Sequence, residues 1–410
     1  MFSRSIWPIL CGLAGLAHAE PLTFQAALGL AEQQSPALAA RYARIRAMQS
    51  QVISADALPD PKLIVGIDNL PISGADAWRL NRDFMTMQKI GVMQEVPNAD
   101  KRRARAAMAT ADVALTLAES RVEQQKVRIA TARAWLTRYY LEQRQALFTE
   151  LRQENTLLTE AVHTQIAAGR GGIADAVAPQ LEAAQLADQA ELLQRDVAKA
   201  TAELRRWLGT AADESLAGTP PVLPIDPLHF RQQLHAHPDL QVFEPARQKA
   251  LAEVRETRAT KQSDWGVEFA YQRRGPQFGD MISLQVSFDL PLFSKTRQDP
   301  RIAAKAQQVT QLDGEREAML RSHRTDLDND LADYASVNRQ LVRAQQTFLP
   351  LAQQKVDLQL ASYRAGKAEL SNVLTARREL TEQRMKVIEL ILQQQLVASK
   401  LYFSYGEGAP

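Results

Sequence analysis

Cysteine is nearly absent: the 410 residues hold one, Cys11. It lies in an apolar stretch, Ile6 to Leu16, that follows Arg4 and closes in Ala17-His18-Ala19, the pattern of a secretory signal cut before Glu20. The stretch is shorter than the ~20 residues a spanning helix needs, so residues 1–19 are expected to be an export signal and not an anchor. Cys11 follows Pro8-Ile9-Leu10 and lacks the small residue that lipoprotein processing wants just before its Cys, so no lipid anchor is expected. From Glu20 onward there is no thiol, which excludes disulfides and thiolate metal ligands.

Glycine and proline are also scarce, 18 and 19 residues, which points to long uninterrupted elements. Neither charge sign dominates: 49 Lys and Arg face 47 Asp and Glu, so nothing favours nucleic acid over the whole chain. Beyond the signal there is no run of ~18 apolar residues, so any membrane crossing falls to strands. Gly-rich phosphate loops and nucleophile elbows are missing, histidines number six, and the carboxylates are spread along amphipathic helices. No enzyme activity and no cofactor are expected.

What is present is repetition. Leu22-Thr23-Phe24, Leu28 and Ser35-Pro36-Ala37-Leu38 recur in order as Leu228-His229-Phe230, Leu234 and His237-Pro238-Asp239-Leu240. Ala168-Gly169 is followed eight residues after the Gly by Val177, and Ala365-Gly366 by Leu374 at the same spacing. Between Ala99 and Ala168 there is no Gly or Pro, and the span is rich in good helix formers. Such a rod of about 70 residues measures ~100 Å. From Arg301 to Ala365 the pattern repeats, interrupted by Gly314, with Leu320, Leu327, Leu331, Tyr334 and Leu341 spaced as a coiled-coil seam. Helices near Leu22–Ala57 and Ile173–Leu208, each half as long, would pack end to end along the rod.

The expected organisation is a first repeat over residues 20–209, with hairpin 62–96, long helix 98–168, tip 169–172 and helix 173–208. A linker over 210–227, holding Pro220-Pro221 and Pro224, forms a belt around the middle. A second repeat over 228–410 has hairpin 265–290, long helix 301–365, tip 366–370 and helix 371–404. The fold class is mainly α with a small β part.

The strands carry the membrane argument. Trp265 to Gln272 and Ile282 to Leu290 alternate, one face apolar or aromatic and the other small or polar; Leu63, Val65, Ile67 and Ile90, Val92, Val96 do so less cleanly. Strict alternation is shared by soluble sandwiches and membrane barrels. Long helical rods offer no second sheet to cover the apolar face, however, and an open sheet edge cannot sit in lipid. Chains must therefore pool strands: two would supply eight, three would supply twelve. Glu268, Gln272, Gln285 and Asp289 are expected to line the lumen as a hydrated, mildly acidic wall, with the tips at the far, periplasmic end.

In this order the residues resemble the TolC-like outer membrane factors over nearly the whole chain from Glu20. Leu58-Pro59-Asp60-Pro61-Lys62-Leu63, Met85-Thr86-Met87 and Gly91-Val92-Met93-Gln94-Glu95-Val96-Pro97 before Lys101-Arg102-Arg103 are similar to the heavy-metal cation efflux branch, the cobalt-zinc-cadmium and copper-silver type. The resemblance implies a homotrimer with a twelve-stranded barrel in outer-membrane lipid and a helical coiled-coil tunnel in the periplasm. It implies a periplasmic adaptor (membrane fusion protein) as partner and an inner-membrane resistance-nodulation-division pump as energy source. By position, Gly169, Ile173, Gly366, Leu370 and Ser371 would dock the adaptor, and Asp175 would be the periplasmic gate. Exported drugs or other organic molecules are the alternative cargo, and a periplasmic adaptor or structural coiled coil the alternative role.

Two sets of residues have the chemistry of metal ligands. His235 and His237 sit beside Pro238 at a helix start with no third ligand in view. Met85 and Met87 flank an external loop, where gap-filling is the simpler role. No metal site is expected from either, and Asp326, Asp328 and Asp330 read as solvated helix charge without the pattern of a calcium loop.

Overall fold

A computed structural model describes residues 21–169 and 172–406. The expected signal segment with Cys11, and tip residues Arg170 and Gly171, lie outside the described residues. Thr23 caps α1 (Phe24–Gln34), its hydroxyl accepting from the Ala26 amide at 3.2 Å. Pro36 has no N–H and forces Ser35 into an extended conformation, so the helix ends and α2 (Pro36–Ala55) restarts with Pro36 in its first turn. The single helix expected up to Ala57 is therefore two.

Two strands follow, β1 (Lys62–Asp68) and β2 (Met87–Val96), and then the 69-residue α3 (Ala99–Ala167). After a 3-10 turn at Ile173–Ala176 comes α4 (Val177–Leu208), which stops at Gly209, whose φ of 60° lies in the region glycine tolerates. Asp226 caps α5 (Pro227–Gln233) by accepting from the Leu228 and His229 amides. Short α6 (Pro238–Gln241) leads to α7 (Phe243–Ala259), β3 (Trp265–Arg273) and β4 (Met281–Phe288). The last helices are α8 (Gln298–Arg343), α9 (Leu349–Arg364) and α10 (Leu370–Tyr405).

The second long helix is not the unbroken rod expected. Ala344–Phe348 winds as a π turn between α8 and α9, just ahead of Pro350. Proline cannot donate to the ladder and its ring crowds the carbonyl four residues back, so widening the turn relieves the clash. Gly314, by contrast, leaves α8 intact. None of the described helices is long and apolar enough to cross a membrane.

The chain divides into two compact units. The first comprises Met1–Ser35, Val127–Pro224 and Tyr334–Ser399. Its core is anchored by Trp135, fully buried, which meets Phe24 edge-on at 5.4 Å, stacks on Tyr139 at 5.1 Å and donates to the Leu22 carbonyl. Leu22 also bridges to Leu216. Arg138 is buried beside them; it donates to the Ala212 and Glu214 carbonyls and pairs with Glu142, so its charge is fully bonded. Apolar clusters continue along the helices: Phe148, Leu151, Leu186 and Leu193, then Val356, Ala376 and Leu380, then Val162, Leu370 and Val373.

The second unit comprises Pro36–Lys126, Ile225–Asp333 and Lys400–Pro410. Leu38, Leu327, Phe230 and Leu401 are its largest fully buried apolar side chains. Gln125 donates to the Phe403 carbonyl at 3.0 Å, and cross-helix ion pairs Lys249–Asp112, Lys305–Glu253 and Arg247–Asp313 tie the helices on their polar sides. Asp330 departs from the reading of solvated charge. It is buried and paired with Lys400 at 2.7 Å, because Leu327 one turn earlier draws that face of α8 inward.

Candidate functional site

The four strands form one antiparallel sheet in the order β1-β2-β3-β4, and the outer edges of β1 and β4 pair with no strand among the described residues. Register sets its two faces. Leu63, Val92, Phe269 and Leu284 lie in one cross-strand row, and Val65, Ile90, Tyr271 and Ile282 in the next. All eight are exposed, Val65 to 72% and Leu284 to 69%, and Trp265, Val286 and Phe288 extend the patch. A water-facing sheet would not present so continuous an apolar face.

On the opposite face the rows read Ile64, Gly91, Ala270, Ser283 and Lys62, Met93, Glu268, Gln285. Gly91 is required there: a Cβ would lie 2.7 Å from Ala270 Cβ and 2.8 Å from the Phe269 carbonyl. Of the residues expected at the lumen, Glu268, Gln272 and Gln285 share this face. Asp289 lies one residue beyond β4, its amide bonded to the Asp264 carbonyl at 2.9 Å. Glu268 is paired with Lys89 and Glu95 with Lys62, so part of the acidic charge on this face is balanced. Sequence reasoning missed these pairs because each joins different strands, and only the register brings them together.

The strand-to-helix junction is bonded tightly. Asn98 caps α3 by accepting from the Lys101 amide at 2.9 Å, and donates through its own amide to Asp264 at 2.8 Å. Lys101 Nζ reaches the same carboxylate at 2.6 Å. Burial pushes Asp264 upward, but the Lys101 and Asn98 bonds outweigh it and hold the carboxyl below its usual range.

Gly169 and Gly366 close α3 and α9 with positive φ, 75° and 70°. Lys367 donates back to the Ser362 carbonyl at 2.9 Å and Gly366 to Tyr363, a Schellman-type stop. Ile173 is 85% exposed, and Ser371 is also exposed. Leu370 is not a surface residue: at 2% exposure it packs with Val162 and Val373, so it shapes the tip from inside. Asp175 is half-buried and accepts the Gly172 amide at 3.0 Å, which makes it the lock of the 3-10 turn.

The metal-ligand sets also rearrange. Met85 is an exposed loop residue and Met87 opens β2 opposite Asp68; nothing among the described residues brings them to a common ligand. His235 is exposed and His237 buried, because the 3-10 turn at Leu234–Ala236 separates them. His237 instead meets His323 and Asp239, with the ring centroids of the two histidines 4.0 Å apart. His323 lies 86 positions away on α8, and sequence spacing gave no sign of it.

Residues 230–407 match the family model for outer membrane efflux proteins. No curated protein matches the sequence. Among solved structures the chain is similar to a membrane protein from Pseudomonas aeruginosa, with 15% identity, a TM-score of 0.79, and 93% of this chain and 90% of that one covered. It is similar to CusC, with 16% identity and a TM-score of 0.77 over 93% of this chain and 92% of that one. The outer membrane protein VceC from Vibrio cholerae gives 17% identity and a TM-score of 0.76, over 93% and 96%. The likeness to these solved structures is one of fold, and the family match lies in the second half of the chain.

Proposed function

We propose that this chain is one protomer of a homotrimeric outer-membrane duct that carries solutes passively from the periplasm to the outside. The observation that carries the proposal is the open sheet, exposed and apolar across four strands on one face and polar on the other, with both edges unpaired among the described residues. In lipid such edges have to close on other chains. Three protomers give a twelve-stranded barrel, within the range of known barrels, with the ion-paired face toward water. The two hairpins, each returning to a long helix, fit two copies of one structural repeat.

In this reading the duct is the outer component of a tripartite system. A periplasmic adaptor docks on the tips at Gly169, Ile173, Gly366 and Ser371, and an inner-membrane pump supplies the energy. Heavy-metal cations are the proposed cargo, supported by the motif run from Leu58 to Arg103; organic molecules would pass the same duct if the pump selects them. The test is sucrose-gradient fractionation of cells expressing the full chain, with cross-linking to size the assembly. A trimer in the outer-membrane band is expected, and a soluble periplasmic monomer would overturn the proposal.

A further inference from the structure

Three metal-ligand side chains that lie far apart along the chain converge in the second unit. His237 starts α6, Asp239 is in its first turn, and His323 comes from α8. Their ligand atoms all lie within 4.8 Å of one another. His323 Nε2 is 3.3 Å and His237 Nδ1 3.8 Å from Asp239 Oδ2. A cation ringed tetrahedrally at 2.0–2.1 Å would set neighbouring ligand atoms about 3.3–3.4 Å apart, so closure needs shifts of only a few tenths of an ångström on those two edges.

His237 Nδ1 accepts from the Asp239 amide at 3.2 Å, so its lone pair caps α6 and a cation would have to displace that hydrogen bond. His323 Nε2 is buried and faces the Asp239 carboxylate. Tyr405 backs the cluster, its ring 5.4 Å from His237 and its hydroxyl donating to the His323 carbonyl at 3.3 Å.

We infer that His237, Asp239 and His323 form a binding site for a divalent first-row transition cation of the zinc type. Two imidazoles and a carboxylate suit zinc, cobalt or nickel, and the lack of sulfur disfavours copper(I). Water would complete the coordination on the open side of Asp239. The bound ion would clamp the start of α6 to the middle of α8, with Tyr405 tying in the end of α10. The inference rests on the geometry of these three side chains and not on the proposed function.

The test uses the full chain, purified in detergent from whichever cell fraction it reaches, with zinc and cobalt as probes. One zinc per chain is expected, and cobalt should give the visible absorption of a four-coordinate ion. His323→Gln should weaken binding by about 100-fold or more, above the loss that follows removal of an outer partner of a metal ligand, while His235→Gln should bind as the unsubstituted chain does. If His323→Gln fails to fold, Asp239→Asn at a partly exposed position carries the same comparison. Absence of the cobalt bands in the unsubstituted chain, or equal zinc affinity in the His235 and His323 variants, would overturn the site.

Discussion

Leu284→Arg tests the lipid-facing reading at its most sensitive point. Leu284 sits midway along β4, opposite Phe269 in the row that also holds Val92 and Leu63. It is already 69% exposed, so in a water-bathed sheet the substitution removes almost no packing and should shift stability by no more than about 0.5 kcal/mol. In a bilayer the same position lies near the midplane of the span, where Arg on a lipid face costs ~2–4 kcal/mol. That is about 30- to 900-fold in the folded ratio for each chain. Three chains that close one barrel would carry ~6–12 kcal/mol together if the sites act independently.

Gln285→Arg is the matched control. It adds the same side chain one residue away on the polar face, across from Glu268, and should cost little. Both variants would be followed by urea titration of the heat-modifiable species in lipid and by yield in the outer-membrane fraction. Leu284→Arg should lose most of its folded species while Gln285→Arg keeps it. Equal behaviour of the two would refute the assignment of faces, and with it the barrel.

Gly91→Val would drive a side chain against Ala270 and the Phe269 backbone; a loss of ~1–3 kcal/mol is expected, seen as a lower urea midpoint. Arg138→Met should cost ~2–5 kcal/mol, because it strands the Ala212 and Glu214 carbonyls in the core, and a thermal melt would read it. Leu370→Ala should cost ~2–5 kcal/mol in the tip core, whereas Ile173→Ser should leave stability unchanged and weaken adaptor capture in a pull-down. Asp264 has a lowered folded pKa, so its stabilisation is fully present above about pH 4 and is lost as pH falls through the folded value. Asp264→Asn should therefore lower stability at neutral pH, and the gap from the unsubstituted chain should close below about pH 4 in acid titration followed by Trp fluorescence.

Much of this architecture was legible because it rests on short-range rules. The absence of Gly and Pro fixes α3, alternation fixes which residues of β3 and β4 share a face, and positive-φ glycines mark the stops at Gly169 and Gly366. What was not legible depends on register and on distant packing. No local pattern says that Lys89 meets Glu268, that Lys62 meets Glu95, or that His323 meets His237 across 86 residues. The burial of Asp330 follows from which side of α8 is drawn inward, and an acidic run by itself cannot convey that. The π turn before Pro350 was open to sequence reasoning, since a proline within a helical pattern demands relief in the turn before it.

The pairing on the polar face bears on how a duct of this kind would treat its cargo. An unpaired ring of carboxylates would concentrate cations but also hold them, and conduction needs binding weak enough to release. Here Glu268 and Glu95 are each answered by a lysine from a neighbouring strand, so a cation crossing the proposed barrel meets dipoles and balanced pairs. In the proposed assembly selection would then belong upstream, in the pump and adaptor, and the wall would only have to be wet. Lys89→Gln would unbalance one pair in every protomer and leave Glu268 free. In single-channel recordings it should raise cation over anion permeability, with a larger effect at low ionic strength where screening is weak. Unchanged ion selectivity at low salt would mean that this face does not line the conducting path.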